Sequence, residues 1–297
     1  MAKMFRLTLA AVSATALLAL APANGAEDAK EAKPAQAHAA SGHDVSIPER
    51  QSWSFAGPFG KFDQAQLQRG FKVYREVCAT CHSLSRIAFR NLEAEDGPGF
   101  SEEQVKALAT EYQLPDEPDA SGKVKERPGR PSDYFPKVLY SGAGIPPDMS
   151  VLAKARSYPR GFPMFLLDAL IQYQEHGPDY IYAILNGYRD PPAEMKDAVG
   201  ANYYNLYMPG HVIAMAAPLD IVFDKDGKPN DEGFYTDGTP ITKDQVSKDV
   251  VSFLMWAAEP KLTERKETGF KVMAFLLLLA GLLYFTKKKV WASVGAH

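Results

Sequence analysis

The chain has 297 residues, of which 46% are hydrophobic and 23% are charged, and its formal net charge is −3. This length and composition predict one medium-sized globular domain with attached segments and a sizeable buried core. The acidic balance disfavours nucleic acid as a partner, because a phosphate backbone attracts basic surfaces.

The first residues have the pattern of an exported protein. Lys3 and Arg6 precede an apolar run at residues 7–20, and small residues follow, so we predict a secretory signal at residues 1–26. The run is short for a permanent membrane helix, which is the alternative. Residues 27–50 are rich in Ala, Lys, Glu and Pro and contain almost no large apolar side chain. Such a segment buries too little surface to become ordered, so we predict a flexible linker.

The first structured element is expected to be a helix from about Asp63 to Val77. Asp63 can cap its start, and apolar residues recur at helical spacing along it. Gly70 lies inside this helix, where a glycine costs about 1 kcal/mol relative to alanine. Close approach of another helix would explain a glycine at this position.

The helix delivers Cys78-Ala-Thr-Cys81-His82, a C-x-x-C-H motif that is typical of c-type haem attachment. Two thiols three positions apart can each form a thioether with one vinyl group of the same porphyrin. The histidine that follows can then supply a neutral imidazole nitrogen to the iron. A zinc site would lack its second pair of cysteines, a thioredoxin-like pair lacks a βαβ context, and a plain disulfide gives His82 no role.

Residues 93–119 carry nine acidic side chains and one basic side chain, Lys106. Ser101 and Gln104 have the spacing of a capping box, which predicts the start of a short helix. An acidic run of this kind is usually a solvated loop. The alternative is a docking surface for a basic partner.

Several helices are expected in the middle of the chain. Residues 144–150 form a proline-containing turn, and a short helix follows through Arg156. Further helices are predicted from Met164 to about Glu175 and from Pro178 to Asn186. Pro178 would occupy the first helical position of the latter, and Gly187 would end it.

Residues 188–240 are rich in Gly, Pro, Asn and Tyr and are expected to form long loops around the core. Thr242 and Gln245 then form a second capping-box pattern, which opens a longer helix. We expect this helix to pack against the helix that contains Gly70. Its predicted buried stripe consists of Val246, Val250, Phe253, Leu254 and Ala257.

The C-terminal region predicts a membrane anchor at residues 269–286, which are apolar except for Lys271. Three lysines follow at 287–289 and place the tail, residues 287–297, on the cytoplasmic side. The large domain, residues 51–262, would then face the exported side, in agreement with the signal. Without the two basic residues of the signal and the three tail lysines, the remaining chain has a charge of −8.

A second axial ligand for the iron must come from farther along the chain. Met208 and Met215 both lie on irregular segments, and a methionine thioether suits electron transfer. The pattern favours Met215 only slightly over Met208, and either residue could be ordinary packing. His176 and His211 are weaker rivals. The remaining candidates, expected in the core, are Met149, Met164 and Met255.

Taken together, these residues closely resemble the cytochrome c1 family over the range from Phe55 to about Trp291. C-x-x-C-H alone identifies only the haem, whereas an ordered set of motifs with a C-terminal anchor is specific. The motifs are Arg69-Gly-Phe-Lys-Val-Tyr-Arg-Glu-Val-Cys-Ala-Thr-Cys-His82, Ile145-Pro-Pro-Asp-Met-Ser150, Pro178-Asp-Tyr-Ile-Tyr-Ala-Ile-Leu-Asn-Gly-Tyr188, Ile213-Ala-Met-Ala-Ala-Pro218 and Trp256-Ala-Ala-Glu-Pro260.

The resemblance implies a role for individual residues. It favours Met215 over Met208 as the partner of His82 on the iron. Some family members carry an additional disulfide, for which this chain lacks the cysteines, so no disulfide is expected to brace residues 188–212. The implied haem-binding residues are Cys78 and Cys81 for the thioethers, His82 and Met215 for the axial positions, Arg156 and Tyr180 near a propionate, and Pro146 and Pro147 against the ring.

The resemblance also implies an all-α, class I cytochrome c-like haem domain, enlarged by long loops, with one C-terminal transmembrane helix. Its cofactor would be one covalent haem c. It would take electrons from a Rieske iron–sulfur protein and pass them to a soluble or tethered cytochrome c, beside cytochrome b in a dimeric complex of the bacterial inner membrane. This chain alone would not turn over quinol. Rival interpretations are another membrane-anchored c-type electron carrier and, with an open iron site, a haem peroxidase.

Overall fold

The computed structural model describes residues 46–118, 122–142, 144–158, 160–171 and 173–292. The predicted signal and residues 27–45 of the predicted linker lie outside these ranges. The described part of the chain is mostly helical, in agreement with the predicted all-α class. Its few strands form two small antiparallel pairs.

The core is built on two closely packed helices, α1 (Gln64–Val73) and α7 (Lys243–Ala258). Asp63 caps α1 as predicted, and its carboxylate accepts a hydrogen bond from the backbone amide of Gln66 at 2.7 Å. A Cβ atom on Gly70 would collide with the backbone carbonyl of Asp249 on α7. The glycine therefore allows α1 and α7 to approach each other, as the sequence predicted.

The predicted buried stripe of α7 is also confirmed, since each of its five residues is at most 3% exposed. Thr242 caps the helix by accepting from the backbone amide of Gln245 at 3.1 Å. The predicted reciprocal half of the capping box is wrong. The Gln245 side chain donates instead to the buried carboxylate of Asp249 at 2.7 Å, because that acceptor lies one turn along the same helix.

Other elements lie between α1 and α7 in the sequence. Their helices are α2 (Glu102–Thr110), α3 (Leu152–Ala155), α4 (Met164–Ile171), α5 (His176–Asn186) and α6 (Lys196–Val199). Short 3₁₀ segments lie at Phe89–Glu93, Met149–Val151, Ala193–Met195 and Pro218–Ile221. The strands are β1 (Gln113–Pro115) with β2 (Glu126–Pro128), and β3 (Tyr203–Tyr204) with β4 (Val212–Ile213). Residues 188–240 are thus long loops interrupted by short regular elements.

Two predicted helix boundaries differ from the structure. Helix α4 ends at Ile171, before the predicted Glu175, and α5 begins at His176, before Pro178. Gly187 does end α5, but with a φ of −93° it needs no left-handed backbone. It is required for space, since a Cβ there would lie 2.6 Å from the ring of Tyr207 and 2.7 Å from Oδ1 of Asn205.

Packing also begins before residue 51, where the predicted linker ends. Pro48 is buried, and the guanidinium of Arg50 lies 3.9 Å from the centre of the Tyr173 ring. At the other end, α8 (Leu262–Trp291) is a single helix that includes residues 269–286. Within the described part of the chain it is the one helix long and apolar enough to cross a membrane.

Candidate functional site

The C-x-x-C-H motif follows a widened turn at the end of α1. Residues Tyr74–Cys78 form a π-helical turn, in which the amide of Ala79 donates to the carbonyl of Tyr74 at 2.8 Å. The Cys78 carbonyl then accepts from the amides of Cys81 at 3.1 Å and His82 at 2.9 Å. This reversal of the chain brings all three motif residues to the same end of the helix.

Both cysteines are free thiols in the polypeptide, Cys78 buried and Cys81 half-buried. Burial, with a smaller contribution from Cys81, raises the pKa of the Cys78 thiol to about 12. The thiols therefore have no competing bond to each other. Among the described residues, no group of three or more His, Cys, Asp or Glu side chains could hold a bare metal ion. The site thus lacks the ligand set of a zinc centre.

The ring of His82 is buried and fixed by one hydrogen bond. Its Nδ1 lies 2.9 Å from the carbonyl oxygen of Pro147. A carbonyl only accepts, so Nδ1 carries the proton and Nε2 keeps its lone pair. Burial lowers the pKa of His82 more than this hydrogen bond raises it, which favours the neutral ring. A neutral imidazole with a free Nε2 is a suitable iron ligand.

The segment after His82 is joined to the proline turn by several further bonds. The carboxylate of Asp148 accepts from the Ser85 hydroxyl at 2.6 Å and from the backbone amides of Ser85 and Ser150 at 3.0 and 2.8 Å. The hydroxyl of Tyr74 also donates to the carbonyl of His82 at 3.1 Å. These bonds hold the Pro147 carbonyl in position for the imidazole.

The two candidate methionines have different surroundings. The hydroxyl of Tyr188 donates to the Met215 backbone carbonyl at 3.1 Å. A Cβ on Gly144, in the proline turn, would lie 3.8 Å from the methyl group of Ala214, which places the Met215 segment beside that turn. The sulfur of Met208, in contrast, accepts a weak hydrogen bond from the Tyr180 hydroxyl at 3.9 Å.

The rival histidines have partners of their own. His211 is buried, with Nδ1 3.1 Å from the carbonyl of Asn205 and its ring stacked on Tyr204 at 5.3 Å. The Nε2 of His176 lies 3.5 Å from Oδ2 of Asp168. Its ring packs against those of Tyr158 and Tyr173.

The remaining predicted site residues lie in two places. Arg156 is exposed at the end of α3, and Tyr180 is half-buried on α5. Burial raises the pKa of Tyr180, and the nearby positive charge of Arg156 opposes that shift. Pro146 is half-buried and Pro147 is exposed in the turn beside His82.

Sequence reasoning missed the groups that orient the candidate ligands. The Pro147 carbonyl, the Tyr74 hydroxyl and the Tyr188 hydroxyl all bond to His82 or Met215. Tyr74 lies eight residues before His82, and Tyr188 is the last residue of the motif that begins at Pro178. Both tyrosines therefore lie in motifs that the sequence analysis had already singled out. A backbone carbonyl has no sequence signature, so the role of Pro147 could not be read from residue type.

These donors fit a haem: two unpaired thiols follow one helix, and a neutral imidazole beside them has one free nitrogen. The model of the Cytochrome C1 family matches residues 53–294. The match therefore extends from Trp53 through the site to the end of α8.

Individual relatives agree with the family match. "Cytochrome c1" of Blastochloris viridis is 46% identical over 271 residues, which cover 88% of this chain and 90% of the relative. "Cytochrome b/c1" of Bradyrhizobium diazoefficiens is 52% identical over 253 residues, or 82% of this chain but only 36% of that longer protein. "Cytochrome b-c1 complex catalytic subunit, mitochondrial" of Candida albicans is 40% identical over 257 residues, or 83% and 78%. The chain therefore belongs to the cytochrome c1 family of electron-transfer proteins with covalently bound haem c.

Proposed function

We propose that this chain is the haem subunit of a membrane complex with cytochrome b, which passes electrons from a Rieske iron–sulfur protein to a soluble or tethered cytochrome c. The names "Cytochrome b/c1" and "Cytochrome b-c1 complex catalytic subunit, mitochondrial" among its relatives support the pairing with cytochrome b. The chain would act in a dimeric complex and would not oxidise quinol alone.

The proposed haem site uses the residues predicted from the sequence. Cys78 and Cys81 would hold haem c through thioether bonds, and His82 and Met215 would supply the side chains that bind its iron. The observation that carries the proposal is the 2.9 Å hydrogen bond between Nδ1 of His82 and the Pro147 carbonyl, which leaves Nε2 free to bind iron. Haem c, when bound, supplies the one-electron couple.

The neighbouring residues serve binding and orientation. Arg156 and Tyr180 would hold a propionate by charge and hydrogen bonding, and Pro146 and Pro147 would pack against the ring. Tyr188 fixes the backbone of Met215 through its carbonyl. Ligands fixed in this way move little when the iron changes oxidation state. Electron transfer then needs no bond to break at this subunit.

The proposed membrane arrangement places the haem domain, residues 51–262, on the periplasmic side of the bacterial inner membrane. The signal at 1–26 exports it, the anchor at 269–286 holds it, and the tail at 287–297 remains in the cytoplasm. Lys287, Lys288 and Lys289 support this orientation, because basic residues favour the cytoplasmic side.

The decisive experiment is a reduced-minus-oxidised spectrum of membranes that contain the wild type or Cys81→Ala. The wild type should show a c-type haem that remains bound after acid–acetone extraction, and the variant should lose one thioether and shift its absorption. Affinity purification in mild detergent should also recover b-type haem and an iron–sulfur centre. Recovery of a free monomer, or rapid binding of carbon monoxide to the reduced wild type, would contradict the proposal.

A further inference from the structure

Helix α4 and the residues before it present an unusually apolar surface to the outside. None of the exposed side chains in this group offers a hydrogen-bond donor or a charge. They are Phe162 (80% exposed), Met164 (36%), Phe165 (53%), Leu166 (51%), Leu167 (46%) and Ile171 (53%). A surface helix in water normally exposes polar residues and buries apolar ones, so α4 has the opposite arrangement.

The polar residue of α4 points inward and fixes this orientation. Asp168 is only 5% exposed. Its carboxylate pairs with Arg160 at 2.7 Å and also with Arg50. Because two arginines hold the buried acid, the apolar side chains cannot turn into the core without breaking these ion pairs. The ion pairs of Asp168 therefore fix the orientation in which the apolar face of α4 points outward.

Helix α4 lies at the end of the domain from which α8 leaves. Arg50 pairs with Asp168 and is five residues from Phe55. Even a fully extended chain of five residues spans at most about 18 Å, which bounds the distance between the backbones of Arg50 and Phe55. The carbonyl of Phe55, like that of Gly57, accepts a hydrogen bond from Lys266 on α8 at 2.6 Å. Lys266 is three residues before the apolar part of α8 begins at Gly269.

A second exposed apolar group lies beside the start of the apolar part of α8. Phe59 is 76% exposed, and its ring centre lies 6.0 Å from that of Phe270, in the first turn of the apolar part of α8. Phe is one of the side chains that interfacial helices bury at the boundary between headgroups and acyl chains. Phe59 therefore adds an exposed apolar side chain beside the start of the apolar part of α8.

We propose that α4 and Phe59 insert into the interfacial layer of the lipid bilayer, as a second membrane contact beside α8. The inference rests on the proposed role of α8 as a membrane span. A protein partner would be expected to meet about one hydrogen-bonding group per 100–200 Å² of interface. The exposed α4 side chains offer none, whereas the boundary between headgroups and acyl chains requires only apolar area.

Spin labelling of the haem-loaded full chain tests this proposal. Once haem is attached, both native cysteines are consumed, so an introduced cysteine is the only free thiol. We would label Leu166→Cys on α4, Leu277→Cys in α8 and Lys106→Cys on the exposed face of α2, in nanodiscs of phosphatidylcholine and phosphatidylglycerol. The readout is collision with oxygen, which concentrates in lipid, relative to a water-soluble nickel chelate.

We expect the oxygen-to-nickel ratio at position 166 to exceed that at 106 several-fold and to approach that at 277. A water-like ratio at 166 with a lipid-like ratio at 277 would overturn this inference and leave the anchor intact. A water-like ratio at 277 would overturn the anchor as well. In native membranes, photo-crosslinking from position 166 should give no adduct with another subunit, and such an adduct would also overturn the inference.

Discussion

Asp179 accepts a hydrogen bond from the indole nitrogen of Trp53 at 2.9 Å, across 126 residues of sequence. Its carboxylate is fully buried and also accepts from the backbone amide of Gln51 at 3.0 Å and the hydroxyl of Tyr158 at 3.2 Å. This one side chain ties the start of the domain to α5, the helix that presents Tyr180.

Asp179→Ala should therefore destabilise the domain by about 3 kcal/mol or more, because several buried donors lose their acceptor at once. Urea unfolding followed by near-UV circular dichroism measures the change. Asp190→Ala removes an exposed carboxylate shortly after the same helix and should change the unfolding free energy by less than about 0.5 kcal/mol. Equal effects of the two variants would show that the Asp179 network contributes nothing specific.

Met215→Leu should retain covalent haem but lower the midpoint potential by roughly 100 mV or more, because axial ligands set haem potentials over about 0.8 V and a thioether favours reduced iron. Met208→Leu is the matched control and should leave the potential nearly unchanged, since its sulfur already bonds to Tyr180. Redox titration of both variants separates the two methionines. A loss of potential in Met208→Leu alone would reverse the assignment.

Asp148→Asn should weaken the turn that carries Pro147, with a pH dependence. Burial raises the pKa of Asp148, but hydrogen bonds from Ser150 and Ser85 outweigh it, so the pKa lies below its usual range. This carboxylate therefore stabilises the fold fully above about pH 4, and its contribution is lost as the pH falls through the lower, folded-state pKa.

We expect Asp148→Asn to cost about 1–3 kcal/mol at pH 7 and less near pH 3, in thermal melts followed at the haem absorption band. Glu95→Gln, at an exposed acid, should follow the wild type at both pH values. A penalty for Asp148→Asn that does not change with pH would mean that the carboxylate charge is not what holds the turn.

Gly70→Ala should destabilise the domain by about 1–3 kcal/mol, although alanine favours helix formation, because the new methyl group would strike the Asp249 carbonyl. The yield of haem-loaded protein and its melting temperature measure this effect. Gly269→Ala serves as a control, since among the described residues no atom beyond its chain neighbours and its own helix backbone lies within 4 Å of the corresponding Cβ position. A more stable Gly70→Ala protein would disprove close packing of α1 on α7.

Neutralising exposed acids in residues 93–119 should slow reduction of a basic cytochrome c several-fold at low ionic strength and much less at high salt. Glu102 and Glu103 on α2 are exposed and suit this test, as the double variant to Gln. Glu232→Gln together with Asp231→Asn makes the same charge change elsewhere. Unchanged rates for the α2 variant at every ionic strength would mean that the acidic segment is only solvated.

Much of the helical frame was predictable because its causes are local. The cap at Asp63, the apolar stripe of α7 and the close approach at Gly70 each follow from residue type and spacing. The capping-box prediction failed because another acceptor competes for the same side chain: Gln245 turns toward Asp249, one turn along α7. Gly187 ends α5 as predicted, but the reason for a glycine there is the crowding by Tyr207 and Asn205, which the local pattern does not contain.

In the candidate site, too, some features follow from a local sequence pattern and others depend on distant parts of the chain. A motif fixes the order of Cys78, Cys81 and His82, whereas the acceptor for His82 is a backbone carbonyl 65 residues away. The assignment of Met215 stays a prediction that rests on the resemblance. Its surroundings depend on how loops fold back, which single-sequence patterns do not encode.

Leu262 and Thr263, the first two residues of α8, are buried in the domain, and the helix then runs without interruption to Trp291. Within this range, no flexible linker separates the globular domain from α8. A continuous helix offers no flexible linker that could act as a hinge in this range. Under the proposed membrane arrangement, α8 would therefore set the distance between the haem and the bilayer, and long-range movement during electron transfer would fall to the proposed partner proteins.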